Sequence, residues 1–119
     1  MKRLWRATIN SWNGLVAAAQ TEQAFREELA VLAVGVPLAF WLSADAGKRL
    51  ALIGTLLIIL IVELLNTAIE KLSDRVSREH DPAIKRVKDM GSAAILLSLI
   101  LAGAVWLWIA AERFWPASG

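Results

Sequence analysis

The chain contains no cysteine, no tyrosine and a single histidine, His80, in 119 residues. Without thiols there is no disulfide framework and no thiolate metal site, and one imidazole cannot build the softer sites that zinc or copper prefer. Phosphate-binding loops are missing too. No GxxxxGK[ST] sequence, glycine-rich kinase loop, H-R-D or D-F-G occurs, which excludes P-loop and protein-kinase machinery. There is no internal repeat and no low-complexity segment. The net charge is only +2, and the basic residues flank apolar runs instead of forming one exposed stripe, so no nucleic-acid partner is expected.

What the chain does have is apolar length. It is 57% hydrophobic, and its 13 basic and 11 acidic side chains are gathered between apolar stretches, the pattern of a single membrane-embedded domain over 1–119. Residues 91–111 carry no charge and residues 50–69 carry only Glu63, each close to the roughly 20 residues needed to cross about 30 Å of hydrocarbon. Residues 29–44 form a shorter run with Pro37 inside it. Such a run can still span, because neighbouring helices cover the freed carbonyl and local thinning absorbs the mismatch. Spans are therefore expected at about 28–45, 50–70 and 91–112. No uninterrupted apolar core follows Lys2 and Arg3, so the N-terminal segment does not read as a cleavable signal. Within residues 3–20, Trp5, Ile9, Trp12, Val16 and Ala19 recur at helical spacing, while Arg3, Arg6, Asn10, Asn13 and Gln20 take another face. That pattern predicts an amphipathic helix lying in the membrane interface. The fold class is all-α integral membrane, with one surface helix and three transmembrane helices.

Orientation follows from the cations. Lys2, Arg3, Arg6 and Arg26 precede the first run, and Lys71, Arg75, Arg78, Lys85, Arg86 and Lys88 lie between the second and third. Only Lys48, Arg49 and Arg113 fall on the other side. The positive-inside bias places the N-terminus and the loop near residues 71–89 in the cytoplasm and the C-terminus outside. Trp41, Trp106, Trp108 and Trp115 then gather near the outer interface, where an aromatic belt is expected.

Against this background Glu63 stands out. An ionised carboxylate at bilayer depth costs about 2.5–3.5 kcal/mol on insertion scales, so it normally faces a polar cavity or a partner. Glu63, Asn66, Glu70 and Asp74 are separated by three, four and four residues and share one helical face. This polar stripe runs from inside the membrane to the water surface. Glu22, with Glu27 and Glu28, forms a second acidic group at the same level, and two such groups can share a hard cation such as Mg2+ whose shell is completed by nucleotide phosphate.

Plainer readings compete. Glu63 could be a paired carboxylate that only fixes packing, and Glu70 and Asp74, beside Lys71 and Arg75, could be a solvated face. Lys85, Arg86 and Lys88 fit simple orientation charge, His80 an exposed loop, and Trp5 and Trp12 interfacial anchors. Gly91, Ser92, Ala93 and Ala94 fit close helix packing better than phosphate binding.

The stretch from Val62 through Glu63, Asn66 and Glu70, then Asp74-Arg75 and Lys88-Asp89-Met90-Gly91-Ser92-Ala93-Ala94, resembles the signature of the prokaryotic diacylglycerol kinase family. Ser11-Trp12-Asn13-Gly14-Leu15 and the segment from Glu22 to Glu28 resemble its N-terminal region, so the likeness covers nearly the whole chain. The resemblance implies a surface helix plus three transmembrane helices in a homotrimer of the bacterial inner membrane, with active sites at subunit interfaces. It also implies phosphorylation of diacylglycerol to phosphatidic acid by ATP and Mg2+. On that likeness Glu63 is the catalytic base that takes the lipid hydroxyl's proton, Glu22 and Glu70 hold Mg2+, and Asn66 and Asp74 support them. Arg3, Asn10, Glu22, Glu70, Glu79, His80, Asp81, Lys88 and Asp89 would bind ATP. Ala7, Trp12, Arg26, Trp41, Ala44 and Arg49, with Glu63, would line the lipid side. Asn10, His80 and Asp81 depart from the family pattern, which has tyrosine, tyrosine and histidine there. Undecaprenol kinase is the nearest enzymatic alternative, and a small oligomeric scaffold or ion-conducting bundle the non-catalytic one.

Overall fold

The computed structural model describes residues 1–77 and 81–115. It contains α1 (Lys2–Thr21), α2 (Gln23–Leu42), α3 (Ala46–Val76) and α4 (Pro82–Phe114), with no strand among the described residues. The all-α expectation holds, and α1 is helical over the segment expected to form an amphipathic helix. Two helices, α3 and α4, are long and apolar enough to cross a membrane. Their 31 and 33 residues extend about 46 and 50 Å, well past the roughly 30 Å of hydrocarbon, so both project beyond it. The third expected span is the shortest. Arg26, Glu27 and Glu28 occupy the first turns of α2, and the helix stops at Leu42 because Ser43 is extended (φ −150°, ψ 144°).

Each boundary has a local cause. Asp45 caps α3 by accepting from the Lys48 amide at 2.9 Å, and Asp81 caps α4 by accepting from the Ala83 amide at 2.9 Å. Pro82 follows at the first helical position, where a missing N–H costs nothing. At the end of α2, Arg49 donates from Nε to the Ser43 carbonyl (2.6 Å) and from a terminal nitrogen to that of Phe40 (3.2 Å). Those carbonyls have no helical donor of their own. Helices α1 and α2 meet at a single extended residue, Glu22 (φ −119°, ψ 114°). Arg26 braces this corner by donating to the Ala19 carbonyl at 2.8 Å.

Helix α3 is central and packs against both α2 and α4. Its buried side chains from Leu52 to Thr67, namely Leu52, Thr55, Leu56, Ile59, Leu60, Glu63, Asn66 and Thr67, recur along one face at helical spacing, and Ser73 is buried further on. Ala39, Leu42, Leu52 and Ile109 pack together at one end, Leu56, Ile59 and Ala102 in the middle, and Ala18, Phe25 and Leu60 at the other end, where α1 is tied down. Because lipid tails are as apolar as leucine, the contacts within the membrane stabilise through close packing and interhelical hydrogen bonds. Gly35 permits one such approach, since a Cβ there would collide with Leu56 Cδ1. Trp106 supplies the hydrogen bonds. Its Nε1 donates to the Leu52 carbonyl and to Thr55 Oγ1, each at 3.1 Å, which satisfies a half-buried indole. Trp41, Trp108 and Trp115 are exposed.

Candidate active site

The face predicted on α3 is present, and it changes character along its length. Glu63 and Asn66 are buried, with 8% and 6% of their surface exposed, whereas Glu70 and Asp74 are exposed. Asn66 donates from Nδ2 to Glu70 Oε1 at 3.1 Å, one turn away. Its Oδ1 is buried and has no partner. Among the described residues Glu63 makes neither an ion pair nor a side-chain hydrogen bond. Its charged neighbours are the carboxylates of Glu28, Glu70 and Glu22, in decreasing order of effect. The fold thus brings the two acidic groups of the sequence to one place, and Glu28 belongs there although the motif did not single it out. The signal for Glu28 was its register: it stands one turn after the buried Phe25 and shares its face, whereas Glu27 points out and accepts from Gln23 at 3.0 Å.

Cations approach this end without entering it. Lys71 Nζ lies 3.7 Å from Glu22 Oε2 and donates to Thr21 Oγ1 at 3.0 Å, joining α3 to the α1–α2 corner. Lys88 pairs with Asp74 at 2.6 Å, linking α4 to α3, and Lys85 pairs with Asp89 at 2.8 Å. The hydrogen bond and charge of Asp89 push the exposed Lys85 ammonium above its ordinary value. Asp81, expected along the nucleotide, serves as the N-cap of α4. Glu79 and His80 lie outside the described residues.

Other expected site residues are not brought to Glu63. Residues 1–15 of α1 are all exposed, Arg3, Ala7, Asn10 and Trp12 among them, and α1 joins the bundle through Ala18, about 22 Å along the helix from Arg3. Arg26 faces the corner it braces. Trp41, Ala44 and Arg49 sit at the opposite end, Arg49 being about 21 Å along α3 from Glu63. There Arg113 lies over the Trp41 ring (5.3 Å), Arg49 over the Phe40 ring (4.3 Å), and Lys48 pairs with Glu112 at 3.0 Å. One headgroup cannot touch both ends, so contacts at this distance belong to a chain or to another lipid. Two apolar spaces lie nearer. A cavity of about 610 Å³ opens between α2, α3 and α4 beside Val34, Gly35, Leu56 and Trp106, and a groove of about 490 Å³ separates α1 from α3 beside Leu15, Ala18, Leu64 and Lys71.

The donor set suits a hard cation. Among the described residues no three Asp, Glu or His side chains are grouped closely enough to hold a metal by themselves. Mg2+ does not require that, since it is commonly held by one or two carboxylates with substrate phosphates and water filling the octahedron. Glu22 and Glu70 would supply the carboxylates, and Asn66 Oδ1 beside them is a buried oxygen without a hydrogen-bond partner.

Two helices of membrane-spanning length and apolarity, with Glu63 buried on one of them near the carboxylates of Glu22, Glu28 and Glu70, are the pattern of a membrane protein. Residues 9–110 match the family model of prokaryotic diacylglycerol kinase. Relatives of that name include the Escherichia coli K12 protein, 43% identical over 104 residues that cover 87% of this chain and 85% of the relative. The Pseudomonas aeruginosa protein is 44% identical over 89% and 86% of the two chains, and that of Helicobacter pylori 26695 is 37% identical over 88% and 82%. The chain belongs to the prokaryotic diacylglycerol kinase family, and it is therefore an enzyme, a kinase.

Proposed function

We propose that this kinase transfers the γ-phosphoryl group of ATP to the free hydroxyl of diacylglycerol at the cytoplasmic end of the helix bundle, giving phosphatidic acid, with Glu63 as general base. The observation that carries this reading is Glu63 itself. A buried carboxylate with no cation and no hydrogen bond among the described residues is costly to keep, and it is free to accept a proton. Orientation with the N-terminus in the cytoplasm, and a third span formed by α2, follow from the charge bias and complete the topology.

Phosphoryl transfer depends on positioning and on neutralising the charge of the phosphates. The apolar groove between α1 and α3 reaches Leu64, next to Glu63, and suits the glycerol end of a lipid whose hydroxyl is then presented to the base. Glu22 and Glu70 would hold Mg2+, which would neutralise phosphate charge and draw the carboxylates together. Asn66 holds Glu70 in place through its amide. Lys88, now paired with Asp74, would turn to the phosphates, and Asp74 keeps it within reach until then.

A homotrimer accords with this site. One protomer buries Glu63 and Asn66 but leaves Glu70, Asp74 and Lys71 on its surface, where a second copy can close the nucleotide side. The test is direct: purified protein is given diacylglycerol or undecaprenol with labelled ATP, with and without Mg2+. Mg2+-dependent label in phosphatidic acid supports the reading. Label confined to undecaprenyl phosphate, or no transfer at all, overturns it.

A further inference from the structure

Gly91 lies buried on α4, opposite the Asn66–Glu70 pair of α3. A Cβ built on it would collide with Asn66 Oδ1 and come within 3.2 Å of Asn66 Cγ and 3.9 Å of Asn66 Cβ. The three nearest atoms all belong to that one side chain, and none is backbone. The first of them, Oδ1, is the buried oxygen that has no hydrogen-bond partner. The other end of the same amide donates to Glu70 Oε1 at 3.1 Å. Gly54 in α3 and Gly103 in α4 have nothing within 4 Å of an added Cβ, so glycine is not a general requirement of these helices.

We infer that Gly91 is a positioning residue for metal binding: by lacking a side chain it keeps the Asn66 amide seated, and the seated amide fixes the Glu70 carboxylate that receives the cation. This deepens the proposed function and rests on it. A side chain at 91 displaces the amide, because its Cβ would take the place that Oδ1 occupies, and the hydrogen bond to Glu70 is lost with it. The carboxylate remains but is no longer held.

The test uses full-length protein in micelles carrying Gly91→Ala, Asn66→Ala, both changes, or Gly54→Ala and Gly103→Ala as controls. Mn2+ binding is read by electron paramagnetic resonance with β,γ-methylene-ATP present, and melting temperature is read on the same samples. Gly91→Ala is expected to weaken Mn2+ binding about tenfold, as for loss of one hydrogen bond to a charged group, while the KM for lipid stays unchanged. The controls should bind Mn2+ normally and melt no lower than wild type, since alanine favours helix over glycine. In the Asn66→Ala background the amide is gone, so adding Gly91→Ala should cost nothing further in Mn2+ affinity or melting temperature. Should Gly91→Ala alone fail to fold, a folded double variant upholds the inference and an unfolded one overturns it. Wild-type Mn2+ affinity in Gly91→Ala, or an equal melting penalty with and without Asn66, also overturns it. If the wild type neither binds Mn2+ nor transfers phosphate, the fault lies instead with the proposed function.

Discussion

Replacing Glu63 by glutamine preserves shape and removes the proton acceptor. A positioned general base contributes about 10²–10⁴-fold, so turnover should fall by that factor, a rise of about 3–5 kcal/mol in the barrier. Stability should move the other way. The wild-type carboxylate is 8% exposed, has no cation partner among the described residues, and faces the like charges of Glu28, Glu70 and Glu22. A neutral amide relieves that repulsion, and a gain of about 1 kcal/mol or more is expected from the cost of an unpaired buried charge. For a chain of this size that raises Tm by about 3–5 °C. Turnover on diacylglycerol and Tm, measured on one detergent preparation, separate the possibilities. Near-wild-type turnover would remove the base assignment, and lost activity accompanied by a lowered Tm would assign Glu63 to packing instead.

Glu22→Gln and Glu70→Gln should each raise the Mg2+ concentration needed for half-maximal turnover by about tenfold or more, with lipid KM unchanged, because a lost carboxylate removes charge that water does not replace; an unchanged Mg2+ titration would make both residues structural. Lys88→Met should raise the KM for ATP while changing stability by less than about 1 kcal/mol, since its bridge to Asp74 is half exposed. A large drop in Tm with normal ATP dependence would reverse that assignment. Trp106→Phe removes the donor to Leu52 and Thr55 and should cost about 1–2 kcal/mol, seen as a lower Tm, with turnover at the original melting margin unaffected.

The helices and the acidic face were legible because both depend on simple periodicities. A run of about 20 apolar residues announces a membrane helix wherever its neighbours lie, and residues three and four apart share a face in any helix. Other roles depend on which groups the fold brings within reach of a side chain, and these the spacing of residues does not show. Trp106 donates to Leu52 and Thr55 on α3, acceptors more than 50 residues away in sequence. Arg26 and Arg49 look like lipid contacts, yet their guanidinium groups are occupied by carbonyls at helix ends. Asp81 falls in a stretch that resembles a nucleotide-binding loop, and its local job is to cap the helix that follows. Burial along the stripe was equally hidden: one protomer covers Glu63 and Asn66 and leaves Glu70 and Asp74 exposed.

Along the buried face of α3 the chemistry changes within one turn. Leu52, Leu56, Ile59 and Leu60 pack against α2 and α4, and the next inward positions are Glu63 and Asn66. Because both halves belong to one unbroken helix, the apolar half sets the depth and rotation at which the polar half is presented. A rigid helix transmits that register: Trp106 fixes α4 against Leu52 and Thr55, and the same helix then places Gly91 against Asn66. Damage to the apolar half should therefore lower stability before it touches catalysis, and damage to the polar half should do the reverse. The division explains how so small a chain can bury the unpaired Glu63 carboxylate, since the packing that offsets its cost lies several turns away on the helix that carries it.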